Sequence, residues 1–416
     1  MSKKKTAIIG GGIAGLCSAY YLLKEGHQVL LLEKEEVAQA CSKGNSGLIV
    51  PSHFVPLASP GVIANGLRWM LSSESPFFIK PRLDLRLLSW VWKFYRSANA
   101  RHVEKSAEII RDLNLSSYRL FEEIKKEGAP FEMGKRGLMM LFKEKQTREE
   151  EARVCEMANR LGIDARLLSA SQVQDMEPDT ELNVLGGAYY PGDAHVIPDE
   201  FNQALLKIII NKGAEVIEHA CVEDFVTKNG RITKAILEDG REYMADEFVL
   251  AAGALSSSLA RKLKINMPLM AGKGYSITMQ KPEHMLRTPS LLCEAKAAVT
   301  PMNSALRIAG TMELSGQDLS VSKTRLRGLL KSVSDYLPQF SYEKLSQQLA
   351  WSGLRPCTPD GLPYIGRSEA VPNLIAATGH SMMGLSLGPV TGKLVSEIAS
   401  EKSPSLCLEQ LSPNRG

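Results

Sequence analysis

The hexapeptide Gly10-Gly11-Gly12-Ile13-Ala14-Gly15 constrains this chain more than any other feature. It follows a short apolar run, Thr6-Ala7-Ile8-Ile9, and opens a helical pattern from Leu16 to Glu25 that Gly26 stops. Val29-Leu30-Leu31-Leu32-Glu33 then reads as a second buried strand. Alone, the pattern is only a glycine-rich turn. In this setting Gly10, Gly12 and Gly15 permit a tight turn, a close backbone approach to a pyrophosphate, and close packing of helix on strand. The helix N-terminus faces the phosphate charge, so the unit predicts a dinucleotide cradle at the start of a parallel sheet. Glu33 stands 18 residues past Gly15, where it can accept hydrogen bonds from both ribose hydroxyls and repel a 2′-phosphate. NADP is thereby disfavoured, while FAD and NAD remain.

A second strand pattern, Phe248-Val249-Leu250-Ala251 followed by the small-residue turn Ala252 to Ser256, is placed to pass beside the same cofactor and favours FAD. An ordinary strand-to-helix turn has the same look. At 416 residues the chain exceeds the roughly 250–300 residues at which one core stops growing, which predicts two domains. Hydrophobic residues make up 44% and charged residues 23%, as in a soluble globular enzyme. The net charge of +4 is too small to argue for nucleic acid as a partner. Seven scattered cysteines without a C-x-x-C pair disfavour a disulfide framework or a metal site and fit a reducing, cytoplasmic compartment. The basic start, the apolar run to Leu23 and Ala38-Gln39-Ala40 imitate a signal peptide, but Glu33-Lys34-Glu35-Glu36 interrupts the pattern. No stretch reaches 18 uninterrupted apolar residues.

Ala214 to Cys221, Gly230 to Asp239 and Glu242 to Ala251, divided by Asn229-Gly230 and Asp239-Gly240, suggest a three-stranded meander. Helical patterns recur at Glu149 to Leu161, Pro198 to Lys212, Ser256 to Leu263 and Ser322 to Leu337, with a long, mostly helical segment from Trp69 to Glu127 broken at Pro76 and Pro81. Near the end, Asn373 to Ala377 reads as a strand, Gly379 to Gly388 as a glycine-rich loop, and Pro389 to Ile398 as a helix.

These motifs, together with Trp351-Ser352-Gly353-Leu354-Arg355-Pro356 running to Tyr364-Ile365-Gly366 and Ala377-Thr378-Gly379-His380 running to Gly392, resemble the D-amino-acid oxidase superfamily of FAD enzymes. Within it the chain is most similar to bacterial D-amino-acid dehydrogenases of the small-subunit type, a match that also takes in Ser42 to Gly47, Ser59 to Val62 and Gly272 to Ser276. The resemblance implies an α/β fold, with an FAD-binding Rossmann-like domain (1–75, 150–222, 246–265 and 345–416) and a second α+β substrate domain (76–149, 223–245 and 266–344). It implies non-covalent FAD, since Cys357 is out of register with the cysteine that tethers flavin in sarcosine oxidases. It places cofactor contacts at Gly10, Gly12, Ile13, Ala14, Gly15, Glu33, Lys34, Ser42, Asn45, Ser46, Gly47, Val222, Ala252, Gly253, Gly379, Met383, Gly384 and Leu385.

By the same resemblance Arg355 stands where glycine oxidases hold the substrate carboxylate, a task for a planar, bidentate cation. A lone arginine is otherwise a solvated charge. Tyr275 is a second candidate, its phenol bonding the carboxylate or closing the pocket. His380 invites a general-base role, although the family's hydride transfer needs none if the amine arrives neutral. The Gly384 to Gly388 loop would aim backbone N–H groups at the flavin N1/O2 edge. Met382 and Met383 replace a second glycine-oxidase arginine, which suggests an apolar pocket for D-alanine, D-proline or hydroxylated D-proline.

The implied reaction is oxidative deamination to an imine and then a 2-oxo acid, with a quinone or other electron carrier as acceptor. The alternatives are an amine oxidase using oxygen and a non-catalytic FAD-binding subunit. Trp69, Trp90 and Trp92 fall within 24 residues, and Lys80, Arg82, Arg86, Lys93, Arg96 and Arg101 surround the last two against one acid, Asp84, which suits a helix at the inner face of a membrane, or equally one packing its tryptophans on the core.

Overall fold

The computed structural model describes residues 4–39, 41–61, 66 and 72–415. Its first layer is a six-stranded sheet in the spatial order 215–217, 28–32, 5–9, 247–250, 374–378 and 364–367. The first five strands are parallel and the last is antiparallel. Strand residues alternate between the two faces, and each face has its own cover. Ile8, Leu31, Val249 and Ile375 pack under helices Ile13–Lys24, Ala100–Lys126, Pro198–Asn211 and Gly388–Ala399. Ala7, Ile9, Leu30, Leu32, Phe248 and Leu250 face the other way, onto Ile232, Ala235 and Leu237 of an antiparallel meander.

Two glycines of the last helix set its approach to the first. A Cβ on Gly392 would lie 2.3 Å from the Cys17 backbone, and one on Gly388 would lie 2.7 Å from Ile13 Cγ1. Small residues four apart thus let two helices from opposite ends of the chain touch backbone to backbone.

A second, nine-stranded sheet runs 350–357, 270–280, 305–314, 297–302, 290–292, 138–142, 186–190 and 166–169, with 77–79 also paired to 305–314. Helix Lys323–Tyr336 packs Leu329, Leu330 and Val333 onto it.

The meander itself is Val222–Lys228, Arg231–Leu237 and Glu242–Met244. Of the residues assigned to it from sequence, 215–217 and 247–250 instead extend the parallel sheet. The expected domain segments are redrawn in the same way. Helix Ala100–Lys126 and the meander pack on the cofactor sheet, whereas 166–169, 186–190 and 350–357 hydrogen-bond into the second sheet. Strand pairing between distant segments decides membership here, and local composition does not record it.

The Trp-rich segment forms helices Leu85–Ser97 and Ala100–Lys126 after a short strand, Phe77–Ile79. Trp69, Val62 and Ala40 lie outside the described residues. Among the described residues no helix is long and apolar enough to cross a membrane.

Candidate active site

A cavity of about 1430 Å³ opens between the two sheets, lined by strand ends of the first and by Tyr275, Thr311 and Arg355 of the second. Its floor is the glycine turn. Gly10 has φ +109°, and a Cβ there would lie 2.5 Å from the Ala251 carbonyl oxygen, so only glycine lets the first strand end beside 247–250. A Cβ on Gly15 would fall 1.9 Å from the Gly10 carbonyl oxygen. The first helix starts here with no acid in its first turn and no side-chain cap at Gly12. The Ile13 N–H donates to Ser42 Oγ at 3.1 Å, and among the described residues the Gly12 and Ala14 N–H groups have no partner. Unpaired donors on a positive helix end form an anion site suited to a pyrophosphate.

Glu33 is buried at the end of the second strand. Its Oε2 accepts from the Gly11 N–H at 2.6 Å and its Oε1 from the Glu35 N–H at 3.0 Å. These bonds fix the carboxylate and leave lone pairs for ribose hydroxyls. Lys34 and Val222 line the cavity beside it, and Ser42, Asn45, Ser46, Ala252 and Gly253 line it further along.

Three of the expected cofactor residues act from behind the wall. Gly15 packs the turn, Gly47 at φ +77° would put a Cβ 2.2 Å from the Val196 carbonyl oxygen, and Gly379 at φ +84° would put one 2.7 Å from Thr358 Cγ2. The 42–47 loop is held by a residue that sequence reasoning missed. Arg307, reaching over from the second sheet, donates to the Lys43 and Asn45 carbonyls at 2.8 and 2.9 Å.

At the far wall stand Met383, Gly384, Leu385 and Ser386. The N–H groups of Gly384 and Leu385 have no partner among the described residues, and helix Gly388–Ala399 begins just behind them without an acid in its first turn. His380 is buried and its pKa is pushed down to about 4 by that burial. His380 Nε2 is hydrogen-bonded to Thr391 Oγ1 at 2.8 Å, and the Thr391 hydroxyl also lies within reach of the Leu387 carbonyl. The ring ties the strand end to the last helix, and Nε2 is engaged with Thr391.

Arg355 lines the cavity from the edge strand of the second sheet. Its Nη1 donates to the Thr311 carbonyl at 2.5 Å, and among the described residues no carboxylate lies within 4 Å of it. Burial lowers its pKa from the ordinary arginine value, yet a guanidinium stays charged. The side chain fits because residue 274 is glycine, where a Cβ would lie 2.1 Å from Nη2.

Of the two parts expected of Tyr275, closing the pocket and bonding the carboxylate, its placement favours the first. The ring lines the cavity, but the hydroxyl donates to Glu313 and accepts from the Ser322 N–H at 3.0 Å. Glu313 in turn sits 3.7 Å from both Lys273 and Arg325. Burial and the Glu313 bond push the phenol pKa up, and its hydrogen is already committed.

A further chain escaped notice because its members are far apart in sequence. Asp193 accepts from both the backbone and hydroxyl of Ser52, and Ser52 Oγ lies 3.1 Å from Nδ1 of His53, which lines the cavity. Burial raises the Asp193 pKa to about 7 and lowers that of His53 to about 4. The antiparallel pair formed by Leu48–Ile49 and Ala194–Val196 brings Ser52 and Asp193 together.

The cavity mouth is crossed by helix Leu85–Ser97. Leu87 and Trp90 are buried, and the Trp90 indole donates to the Cys357 carbonyl at 3.0 Å. Leu85, Leu88, Trp92 and Tyr95 form a second apolar stripe that stays exposed, with Trp92 at 61%.

Residues 5–398 match the family described as FAD dependent oxidoreductase. A protein named D-amino acid dehydrogenase from Helicobacter pylori is 31% identical over 411 residues, covering 98% of each chain. One of the same name from Neisseria meningitidis is 30% identical over 420 residues, covering 99% of each. Among solved structures, glycine oxidase from Geobacillus kaustophilus superposes with a TM-score of 0.79 at 23% identity over 99% of both chains. L-proline dehydrogenase from P. horikoshii does so with 0.75 at 19% identity over 100% of this chain and 98% of that one. At those identities the structures speak for the fold alone. With the family matched over nearly its whole length and a cradle that fits the nucleotide, this chain belongs to the FAD dependent oxidoreductases.

Proposed function

We propose that this enzyme oxidises the Cα–N bond of a D-amino acid to an imine, which water hydrolyses to a 2-oxo acid and ammonia, and that its electrons pass to a quinone. A cyclic substrate such as D-proline or hydroxy-D-proline would give a cyclic imine. The observation that carries this reading is Arg355, a charged guanidinium facing the cavity with a backbone carbonyl and, among the described residues, no acid for company. Such a group calls for an anionic ligand, and a planar fork suits a carboxylate. The full-length relatives named D-amino acid dehydrogenase support the choice of substrate.

Bound FAD supplies the acceptor for the hydride that leaves Cα. The chain's own residues orient the partners. Gly12, Ala14 and the helix behind them would hold the pyrophosphate, and Glu33 the ribose. The N–H groups of Gly384 and Leu385, backed by the last helix, would meet the negative charge that reduction places on the flavin ring. Met382 and Met383, both lining the cavity, supply adaptable apolar surface for the substrate side chain. His380 would serve as support, its Nε2 engaged with Thr391.

The exposed stripe Leu85, Leu88, Trp92 and Tyr95 supports docking on an anionic membrane surface, with Arg86, Lys93 and Arg96 toward the headgroups. The positions are spaced three, four and three apart, so they form one helix face, and the core already has its own face in Leu87 and Trp90. A quinone could then reach the cavity mouth from the lipid side.

Anaerobic reduction of the purified holoenzyme's flavin by a panel of D-amino acids, L-amino acids, glycine, sarcosine and hydroxyprolines tests the reading. Bleaching by D-substrates, and faster reoxidation by a quinone than by oxygen, is the expected result. Bleaching confined to L-amino acids or sarcosine, or none at all, would overturn it. Stoichiometric peroxide without added quinone would identify an oxidase instead.

A further inference from the structure

Strand Ala305–Leu314 holds Thr311 at φ +69°, a left-handed conformation that a β-branched residue rarely adopts. The pairing explains where it comes from. Lys273 is opposite Glu313 and Tyr275 opposite Gly310, so Thr311 and Met312 together face the single residue Gly274. This is a β-bulge, and its left-handed position is one that glycine ordinarily fills. Glycine is available one residue earlier, at 310, yet the strained site carries threonine. A second cost adds to the first, because Thr311 is 5% exposed and its buried Oγ1 has no hydrogen-bond partner among the described residues.

What the bulge achieves is visible on its other side. It turns the Thr311 carbonyl toward Arg355, whose Nη1 donates to it at 2.5 Å, while the guanidinium occupies the room left by the absent side chain of Gly274. Bulge, glycine and arginine form one unit at the cavity wall. Local rules broken at a single residue, with no gain to packing, mark a place where geometry serves a function.

We propose that Thr311 is a positioning residue: its strained bulge aims a backbone carbonyl at Arg355 and so fixes the guanidinium for the substrate's carboxylate. The inference rests on the amino-acid reading above for the identity of the ligand, and its strength lies in the backbone and not in the hydroxyl. Three variants of the holoenzyme separate the terms. Thr311→Gly relieves the strain, keeps the carbonyl and loosens its aim. Thr311→Val keeps the shape and removes the orphaned hydroxyl. Deleting Thr311 takes out the bulge and turns the carbonyl away.

The probe is pyrrole-2-carboxylate, an unreactive planar carboxylate, followed by its shift of Tm and of flavin absorbance, beside anaerobic flavin reduction by D-proline. Thr311→Gly should melt at or above the wild-type temperature yet bind the probe roughly five- to tenfold more weakly, with the limiting rate of flavin reduction changed less than about twofold. Thr311→Val should match wild type in binding, and the deletion should be weakest of the three. Unchanged probe affinity in Thr311→Gly, or equal losses in Thr311→Val and Thr311→Gly, would overturn the proposal, the second result by pointing to the hydroxyl. If wild type binds the probe but no amino acid reduces it, the amino-acid reading fails while these affinities still decide the role of Thr311. A wild-type protein that binds no carboxylate overturns both.

Discussion

The two ends of the cavity are built by different means. At the nucleotide end the working parts are backbone N–H groups, set by glycines whose missing side chains admit neighbouring main chain. At the end where we propose that the substrate binds, the working part would be one side chain, Arg355, set by a glycine whose missing side chain admits that guanidinium. Damage at the first end should therefore be structural, and at the second, chemical.

The sharpest way to break that contrast is a pair of glycine-to-alanine changes. Gly15→Ala drives a methyl to within 1.9 Å of a carbonyl oxygen that cannot move without unseating the turn. It should yield protein without FAD and with a collapsed melting transition, read by absorbance and Tm. Gly274→Ala meets first the end of Arg355, a flexible side chain, at 2.1 Å. It should keep FAD and lose roughly a hundredfold in kcat/KM. Equal FAD loss in both would erase the distinction.

Arg355→Lys comes next, because lysine keeps the charge but not the fork. We expect KM for a D-amino acid to rise by roughly thirtyfold with a smaller change in kcat, measured by steady-state dye reduction.

Asp193 offers a smaller and pH-dependent effect. Its pKa in the folded protein is about 7 against an ordinary 3.8, so the folded state holds the proton more tightly than the unfolded one. Stability from this group is present in full below about pH 4, falls as pH rises, and is lost above about pH 7. Asparagine mimics the protonated acid. Asp193→Asn should match wild type only near or below about pH 3.5, melt higher by a margin that grows up to about pH 7, and stay a few degrees higher at pH 8; a Tm difference independent of pH would show that Asp193 is not the titrating group. The smallest effect lies at the cavity mouth. Trp92→Ala should reduce flotation with anionic vesicles several-fold and leave flavin reduction by a soluble substrate unchanged.

The same contrast explains what could be read from the sequence. Gly10 to Glu33 was legible because turn, helix and acid are contiguous and each residue type has one local reason to be there. Helices such as Pro198–Asn211 and Lys323–Tyr336 were legible from periodicity. Arg355 could be named only through a family resemblance, since nothing nearby in sequence shows that no acid faces it. The bond from the Tyr275 hydroxyl was not legible because Glu313, its acceptor, lies 38 residues on. The bulge at Thr311, the grip of Arg307 on the 42–47 loop and the Asp193–Ser52–His53 chain all depend on register between distant strands. Residues 215–217 and 247–250 carry strand patterns that suit a meander as well as a parallel sheet, and only their partners decide.

The seam where Gly388 and Gly392 meet Ile13 and Cys17 has a consequence for biosynthesis. The central sheet lacks its 374–378 strand, and the first helix lacks its closest neighbour, until those later segments have been made. The nucleotide cradle leaves the ribosome well before the strand and helix that complete it. Loading with flavin therefore waits for those segments, and during translation the apolar faces of the 5–9 and 28–32 strands must wait for partners several hundred residues behind them.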